Sequence, residues 1–271
     1  MELCLSLFPG VGLFDRAFEE EGFCVVRGPD PLWGGDVRRF KPSAGKFWGV
    51  LGGPPCQDFS AARRAPPTGM GRELLAEFAR VVTEAGPEWW LLENVPRVPD
   101  VRIPGYDVQR LPVNQGWFSG VSRLRHFQFG SRAGVTLQIP PGEPVRGAEP
   151  AALANDGRGF REVCRLQGLP DDFDLPGFLE SEKVKAVGNG VPMVMGRVVA
   201  QAVKRAYGLE CGDVPTFDAA LCERRKCACG CGLVVKGRAS YAGAACRKRA
   251  ERRRRGDSMA AKAVTRRSGK A

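Results

Sequence analysis

Short apolar runs alternate with amphipathic stretches along the first two thirds of the chain, and the two kinds of pattern predict different elements. The apolar runs predict buried strands at 3–8, 23–27, 47–51 and 89–93. Stretches with helical spacing predict helices at 13–22, 72–84, 160–167 and 192–207. Strands and helices in alternation are typical of a doubly wound α/β sheet that binds ligands at the carboxyl ends of its strands.

The pattern weakens after a further apolar strand at 126–130. Residues 131–159 are rich in proline, glycine and alanine, and Gly212 and Pro215 interrupt the stretch 209–220, which favours a linker there. We therefore expect four segments. They are a catalytic domain at 1–208, a linker at 209–220, a cysteine-rich basic module at 221–255 and a disordered basic tail at 256–271.

Charge is concentrated at the C-terminal end of the chain. The 271 residues carry a formal net charge of +11 and are 43% hydrophobic. Residues 221–271 hold 16 Lys and Arg against 3 Asp and Glu, whereas residues 1–220 have a net charge of −2. Concentrated basicity indicates affinity for nucleic acid through phosphate contacts. The alternative is a basic tail that only adds solubility.

Membrane and secretion signals are missing from the sequence. No run of 18 apolar residues occurs, and the N-terminus lacks the basic and then apolar pattern of a signal peptide. We expect a cytoplasmic protein without membrane association. The chain has ten cysteines, and five of them lie between Cys222 and Cys246, which in a reducing compartment favours a metal site over disulfides.

One cysteine is placed as a nucleophile. Cys56 follows Gly-Gly-Pro-Pro directly after an apolar run, so a rigid turn limits the directions in which its sulfur can point. Glu93 ends another predicted strand about 35 residues later. A thiolate and a carboxyl group at neighbouring strand ends suggest covalent catalysis with acid assistance.

These residues belong to six ordered blocks through which the chain resembles the DNA cytosine-5 methyltransferases. The blocks are Leu7-Phe8-Pro9-Gly10-Val11-Gly12, Pro55-Cys56-Gln57, Glu93-Asn94-Val95, Arg123-Leu124-Arg125, residues 165–173 and Gly188-Asn189-Gly190-Val191-Pro192. The resemblance runs to about residue 207. It implies a Rossmann-like methyltransferase domain that uses S-adenosylmethionine, acts on double-stranded DNA and belongs to a phage, a mobile element or a restriction-modification system.

The resemblance also implies roles for five catalytic residues. Cys56 would add to C6 of a flipped-out cytosine, and Glu93 would interact with N3 and the exocyclic amine. Asn94 would hold the loop of Cys56. Arg123 and Arg125 would sit beside the flipped base and its backbone, and Arg125 is the one expected to contact the base and to organise Cys56 and Glu93. The alternative for either arginine is a pairing with phosphate or a carboxylate.

For the cofactor, the resemblance implies a pocket built from several loops. The expected residues are Phe8, Gly10, Gly12, Asp30, Asp36, Val37, Pro55, Asn189 and Val191. Two roles stay open for Asp30, a ligand of the ribose or a turn residue, because its segment is shorter than is usual in the family.

Two departures from the family pattern bear on function. Val121 stands where the family usually has glutamine. This difference leaves open the alternative that the chain is a DNA-binding protein that has lost catalysis. Relatives often insert a large target-recognition domain where this chain has only residues 131–159. We therefore expect a recognition site of two to four base pairs. A tRNA substrate, known in one branch of the family, is a further alternative.

The cysteine-rich module predicts a structural zinc site. We expect Cys227, Cys229, Cys231 and Cys246 as ligands, with Cys222 as a substitute, since all-cysteine tetrahedral sites suit zinc. A cysteine-rich tail without metal is the alternative. His126, the single histidine, is expected to be structural. We expect a monomer, and whether a partner restriction endonuclease exists stays open.

Overall fold

The computed structural model describes residues 3–60, 66–143, 147–154, 157–209 and 245–248. Its strands are β1 (Leu3–Leu7), β2 (Cys24–Arg27), β3 (Gly49–Gly52), β4 (Trp89–Asn94), β5 (Asp107–Asn114), β6 (Val121–Ser122), β7 (Leu124–Ser131) and β8 (Glu149–Pro150). Its longer helices are α1 (Leu13–Glu20), α2 (Met70–Ala85), α3 (Phe160–Gln167), α4 (Glu180–Asn189) and α5 (Met193–Ala206). Single 3-10 turns lie at Pro31–Trp33, Val37–Arg39 and Gln115–Trp117.

The central sheet has the strand order β2-β1-β3-β4-β7-β5. β1 pairs in parallel with β2 and β3, and β3 pairs in parallel with β4. β7 runs antiparallel to both β4 and β5. The loops that follow β1, β2, β3 and β4 therefore leave from the same edge of the sheet. The α/β doubly wound architecture predicted from the sequence is confirmed.

Helices cover both faces of the sheet because successive strand residues point to opposite sides. Leu5 and Leu92 belong to a buried cluster that includes Phe78 of α2. Leu91 belongs to a second cluster that includes Phe18 of α1 and residues of α5. Each fully buried side chain of this size contributes about 1.5–3 kcal/mol, so the two apolar layers hold the sheet between the helices.

The two tryptophans of β4 each lie over a glycine of a neighbouring strand. A Cβ at Gly49 would stand 2.2 Å from the ring of Trp89, and a Cβ at Gly130 would stand 2.1 Å from Nε1 of Trp90. The strand register pairs the same residues, Gly49 with Trp89 and Gly130 with Trp90. Both indoles are fully buried. The glycines leave the space that the indole rings fill.

A smaller layer packs beside the sheet. α3 and α4 share a buried cluster with the start of α1, through side chains such as Leu13, Leu166 and Val187. The described part of residues 131–159 holds one short strand, β8, which pairs in parallel with β6. This layer brings the end of the expected recognition region next to the turn between α4 and α5.

Besides the two-residue strands and the 3-10 turns, the longer elements β5 and α4 were not predicted, and several boundaries differ. β5 is an edge strand whose residues are mostly half-buried or exposed, so its sequence lacks a clear apolar period. α4 buries little besides Val184, Val187 and Gly188. α1 ends at Glu20 instead of residue 22, because Gly22 adopts a positive φ of 88° and turns the chain.

The chain divides into two units, Met1–Phe217 and Asp218–Ala271, and the described part of the second is helical at 245–248. Three of the predicted zinc ligands, Cys227, Cys229 and Cys231, lie outside the described residues, and Cys246 is buried. Within the described ranges, no group of three or more potential metal ligands comes together. In the same ranges, no helix has the length and apolar character needed to cross a membrane.

Candidate active site

Cys56 lies on the loop after β3, at the carboxyl edge of the sheet. The side chain of Asn94, which is 1% exposed, donates from Nδ2 to the carbonyl oxygen of Pro54 over 2.9 Å. Gly53 lets this loop come close to β4, since a Cβ there would stand 3.3 Å from Oε2 of Glu93. The end of β4 therefore supports the loop that carries the cysteine.

Glu93 and Arg125 form an ion pair next to Cys56. Arg125 Nε lies 2.9 Å from Glu93 Oε1, and the two side chains are 18% and 12% exposed. Burial raises the pKa of Glu93, and Arg125 opposes this rise. Burial and the charge of Glu93 raise the pKa of Cys56, and Arg125 opposes that rise as well. The resting site therefore favours a thiol, beside a carboxyl group suited to donating a proton.

Asp58 connects the loop of Cys56 to the start of α2. Its Oδ1 accepts a hydrogen bond from Thr68 N over 3.0 Å, and its Oδ2 accepts one from Gly71 N over 2.8 Å. Gly71 N is one of the first amides of α2, which have no partner within the helix. Asp58 thus provides an acceptor for the first turn of α2 and connects it to the loop of Cys56. The sequence analysis missed this carboxylate, although it follows the cysteine by only two positions.

Arg123 is placed differently from Arg125. It is 5% exposed, and its terminal nitrogens donate to backbone carbonyls of Ala152, Gly188 and Gly190 over 2.8–3.1 Å. Its Nε is buried and has no hydrogen-bond partner within the described chain. The structure therefore holds Arg123 between the end of the recognition region and the turn after α4.

The turn between β1 and α1 is tight. Phe8, Gly10 and Gly12 all have positive φ values, of 57°, 56° and 77°. A non-glycine residue such as Phe8 rarely adopts this backbone conformation. A Cβ at Gly10 would meet no atom within 4 Å, so the turn faces open space.

Asp30 and Trp33 hold this turn from the side of β2. Asp30 Oδ2 accepts from Gly10 N over 2.9 Å, and its Oδ1 accepts from Leu32 N over 2.7 Å. This is the turn role that the sequence left open, and the ribose-binding role stays a prediction. Trp33 Nε1 donates to the carbonyl oxygen of Gly10 over 2.7 Å while its side chain is 61% exposed. The sequence analysis missed Trp33, a lone tryptophan between the two acidic residues already singled out.

The remaining expected cofactor residues come from neighbouring loops. Asp36 caps the turn Val37–Arg39, accepting from Arg38 N over 3.0 Å. Asn189 is exposed at the end of α4, Val37 and Val191 are buried, and Pro55 is half-buried. An exposed indole, two carboxylates and a tight backbone turn are groups suited to an adenine, a ribose and a cationic amino-acid part. The residues present therefore fit S-adenosylmethionine.

A buried carboxyl group lies in the helix that follows this turn. Asp15 of α1 is fully buried, accepts from Ser6 Oγ over 2.5 Å and accepts from Arg27 Nε over 3.1 Å. Burial raises its pKa to about 6, and the contacts with Ser6 and Arg27 oppose the rise. A Cβ at Gly12 would stand 3.0 Å from the guanidinium of Arg27. The hydrogen bonds of Asp15 therefore connect α1 with β1 and β2.

His126 takes part in a structural network beside the active site. It pairs with Asn94 across the sheet, and its Nδ1 accepts from Arg110 Nε over 2.9 Å. Arg110 also donates to the carbonyl oxygens of Pro96 and Val98. Burial and the charge of Arg110 lower the pKa of His126, so the ring is neutral and fastens the segment after β4.

A sequence profile described as C-5 cytosine-specific DNA methylase matches residues 33–102, which include Cys56 and Glu93. The type II methyltransferase M.AquIA of Picosynechococcus is 30% identical over an alignment of 195 positions, which covers 53% of this chain and 76% of that protein. M.HgiDI of Herpetosiphon aurantiacus is 47% identical over an alignment of 181 positions, which covers 61% of this chain and 56% of the relative. M.HindV of Haemophilus influenzae is 30% identical over an alignment of 121 positions, which covers 37% of this chain and only 40% of that protein's length.

Two solved structures share the fold at low sequence identity. A protein described as a DNA modification methyltransferase encoded within a prophage of E. coli is 16% identical, with a TM-score of 0.57 over 77% of this chain and 100% of its own. The methyltransferase EhMeth of Entamoeba histolytica is 10% identical, with a TM-score of 0.55 over 76% of this chain and 99% of its own.

Proposed function

The chain belongs to the C-5 cytosine-specific DNA methylase family, and from this premise we propose that it methylates C5 of cytosine in double-stranded DNA. One observation carries the proposal. Cys56 stands on a fixed loop beside the ion pair of Glu93 and Arg125, at the edge of the sheet where ligands bind. This arrangement supplies a nucleophile, a proton donor and a cation within one partly buried site.

The residues divide the chemistry between them. The Cys56 thiol gives up its proton to solvent water, and its sulfur then forms a bond with C6 of cytosine. In the same step Glu93 donates a proton to N3 and so neutralises the ring. These two events make C5 nucleophilic. Once C5 carries its new methyl group and a base has removed the C5 proton, the bond to Cys56 breaks and the N3 proton returns to Glu93. Arg125 orients Glu93, and Asn94 orients the loop of Cys56.

The cofactor is held at the adjoining turn. S-adenosylmethionine supplies an electrophilic methyl group when it is bound. Trp33 offers an exposed indole for the adenine, and Asp30 and Asp36 offer acceptors for ribose and adenine donors. The other residues that we assign to this pocket are Phe8, Gly10, Gly12, Val37, Pro55, Asn189 and Val191.

The target cytosine must leave the DNA stack to reach Cys56, at a cost of a few kcal/mol. The alignment with M.AquIA runs over 195 positions but covers only 53% of this chain, so part of it consists of positions that this chain lacks. A short region at 131–159 supports a recognition site of two to four base pairs. The net charge of +13 in residues 221–271 would add affinity for phosphates whatever the sequence, and zinc bound by Cys227, Cys229, Cys231 and Cys246 would order that module.

Transfer of labelled methyl groups tests this function. Purified protein is incubated with labelled S-adenosylmethionine and either duplex DNA or tRNA, and 5-methylcytosine is mapped at base resolution. We expect label on DNA alone, at one short sequence, and none with the Cys56→Ala variant. Label on tRNA alone would move the proposal to that substrate, and tight DNA binding without label would favour a binding protein that has lost catalysis.

A further inference from the structure

Arg123 joins two segments that are far apart in sequence. Its Nη1 donates to Ala152 O over 2.8 Å and to Gly188 O over 3.0 Å. Its Nη2 donates to Gly188 O over 3.0 Å and to Gly190 O over 3.1 Å. A planar guanidinium offers its donors in a fixed fork, so these four hydrogen bonds set the spacing between the two segments.

We assign the two segments to different ligands of the proposed reaction, one to DNA and the other to the cofactor. Ala152 follows β8 and lies near the end of residues 131–159, the region expected to face DNA. Gly188 and Gly190 flank Asn189, which we assign to the cofactor pocket. The segments also touch directly, because a Cβ at Gly188 would stand 3.0 Å from the carbonyl carbon and oxygen of Leu153. A shift of one segment is therefore transmitted to the other.

A second residue supports only the cofactor side. Gln167 of α3 donates from Nε2 to Val187 O over 2.5 Å and to Gly190 O over 3.0 Å. The hydrogen bonds of Gln167 thus hold the same turn as Arg123, but none of them reaches Ala152. Both side chains are buried, at 1% and 5% exposure. Loss of Arg123 removes the donors to Ala152 O and Gly188 O, which is costly for buried carbonyl groups. Loss of Gln167 costs less, because Val187 O still accepts from Gly190 N and Gly190 O still accepts from Arg123. Both residues therefore support the cofactor turn, but only Arg123 also contacts the recognition region. A comparison of the two distinguishes these roles.

We propose that Arg123 is a positioning residue that couples DNA binding to cofactor binding, so that each ligand orders the segment that the other needs. The inference rests on the proposed function, since it requires that both ligands bind. DNA that orders the segment around Ala152 also fixes the turn at 188–190 through Arg123. Coupling between sites is reciprocal, so the cofactor product must tighten DNA binding by the same factor.

A thermodynamic cycle tests the coupling in the full-length protein. The dissociation constant of S-adenosylhomocysteine is measured by calorimetry with and without a duplex that carries the mapped site. We expect binding to be about fivefold or more tighter with DNA in the wild type, as is typical of coupled sites. For Arg123→Lys we expect a ratio below about twofold, because lysine keeps the charge but cannot span all three carbonyls with one ammonium group.

Gln167→Met is the matched control, since it removes two hydrogen bonds to the same turn at similar side-chain volume. It should weaken S-adenosylhomocysteine binding equally with and without DNA, and so keep the wild-type ratio. Circular dichroism and thermal melting verify that each variant is folded. An unchanged ratio in Arg123→Lys, or no coupling in the wild type, would overturn the inference. A wild type that binds neither ligand would instead overturn the proposed function.

Hydrogen exchange of the wild type gives a measurement that does not depend on any variant. Addition of duplex DNA without cofactor should slow amide exchange at 187–191, although these residues belong to the cofactor side. Exchange that stays unchanged at 187–191 while DNA protects the segment around Ala152 would show that the two segments act separately, which contradicts the coupling.

Discussion

Replacement of Asp15 by Asn should change how the stability of the protein depends on pH. Burial raises the pKa of Asp15 from 3.8 to about 6 in the folded protein. The folded state therefore holds this proton more tightly than the unfolded state. The protonated carboxyl contributes stability that is complete below pH 3.8 and is lost as the pH rises through about 6. The whole effect is about 3 kcal/mol, of which about 1 kcal/mol is lost between pH 5 and pH 8.

The amide of the Asp15→Asn variant can donate to Ser6 Oγ and accept from Arg27 Nε, so both contacts have a replacement. Urea unfolding at several values between pH 5 and pH 8 gives the free energy of unfolding of both proteins. Relative to the wild type, the variant should gain about 1 kcal/mol of stability on going from pH 5 to pH 8. Glu162→Gln, on an exposed position of α3, is the control and should leave the pH dependence unchanged. If wild type and Asp15→Asn follow parallel curves, the raised pKa of Asp15 is refuted.

Three further predictions concern the active site, the core and the cofactor turn. Glu93→Gln should abolish methylation yet make Cys56 react faster with iodoacetamide at neutral pH, because the charge of Glu93 helps to raise the pKa of this thiol; slower labelling of the Cys56 peptide by mass spectrometry would contradict this. Gly130→Ala should destabilise the fold by about 1–3 kcal/mol or more in urea unfolding, since the new methyl group would overlap the indole of Trp90; a loss below about 0.5 kcal/mol would show that the ring moves aside easily. Trp33→Ala should weaken S-adenosylhomocysteine binding about tenfold in calorimetry, because an aromatic side chain stacked on a base contributes about 1–3 kcal/mol; unchanged affinity would remove Trp33 from the pocket.

The sequence predicts the parallel half of the sheet well for a physical reason. β1, β3 and β4 are buried on both faces, so their residues form nearly continuous apolar runs that stand out from the surrounding loops. β5 lies at the edge of the sheet, where most of its residues are half-buried or exposed, and α4 buries only Val184, Val187 and Gly188. Neither element carries a pattern strong enough to be recognised without its neighbours.

The sequence could not predict the contacts that the site makes between distant segments. Cys56 and Glu93 stand out through their strand-end positions and through the order of the blocks around them. The hydrogen bonds of Arg123 with Gly188 and Gly190 join residues more than 60 positions apart. Asp30 shows the same limit, since its turn role depends on where Gly10 lies in the fold. Motifs identify residue types, whereas the partners of a side chain follow from the tertiary structure.

Covalent trapping of Cys56 tests the central claim most directly. In a duplex that carries 5-fluorocytosine at the mapped site, fluorine replaces the hydrogen that a base must remove from C5. The bond between the sulfur and C6 should therefore persist after methyl transfer. We expect a denaturation-resistant complex of wild-type protein and DNA that requires S-adenosylmethionine, with the modified nucleotide on the Cys56 peptide in mass spectrometry, and no complex with Cys56→Ala. A complex that persists in Cys56→Ala, or methylation of ordinary duplex by wild type without any trapping, would contradict the account.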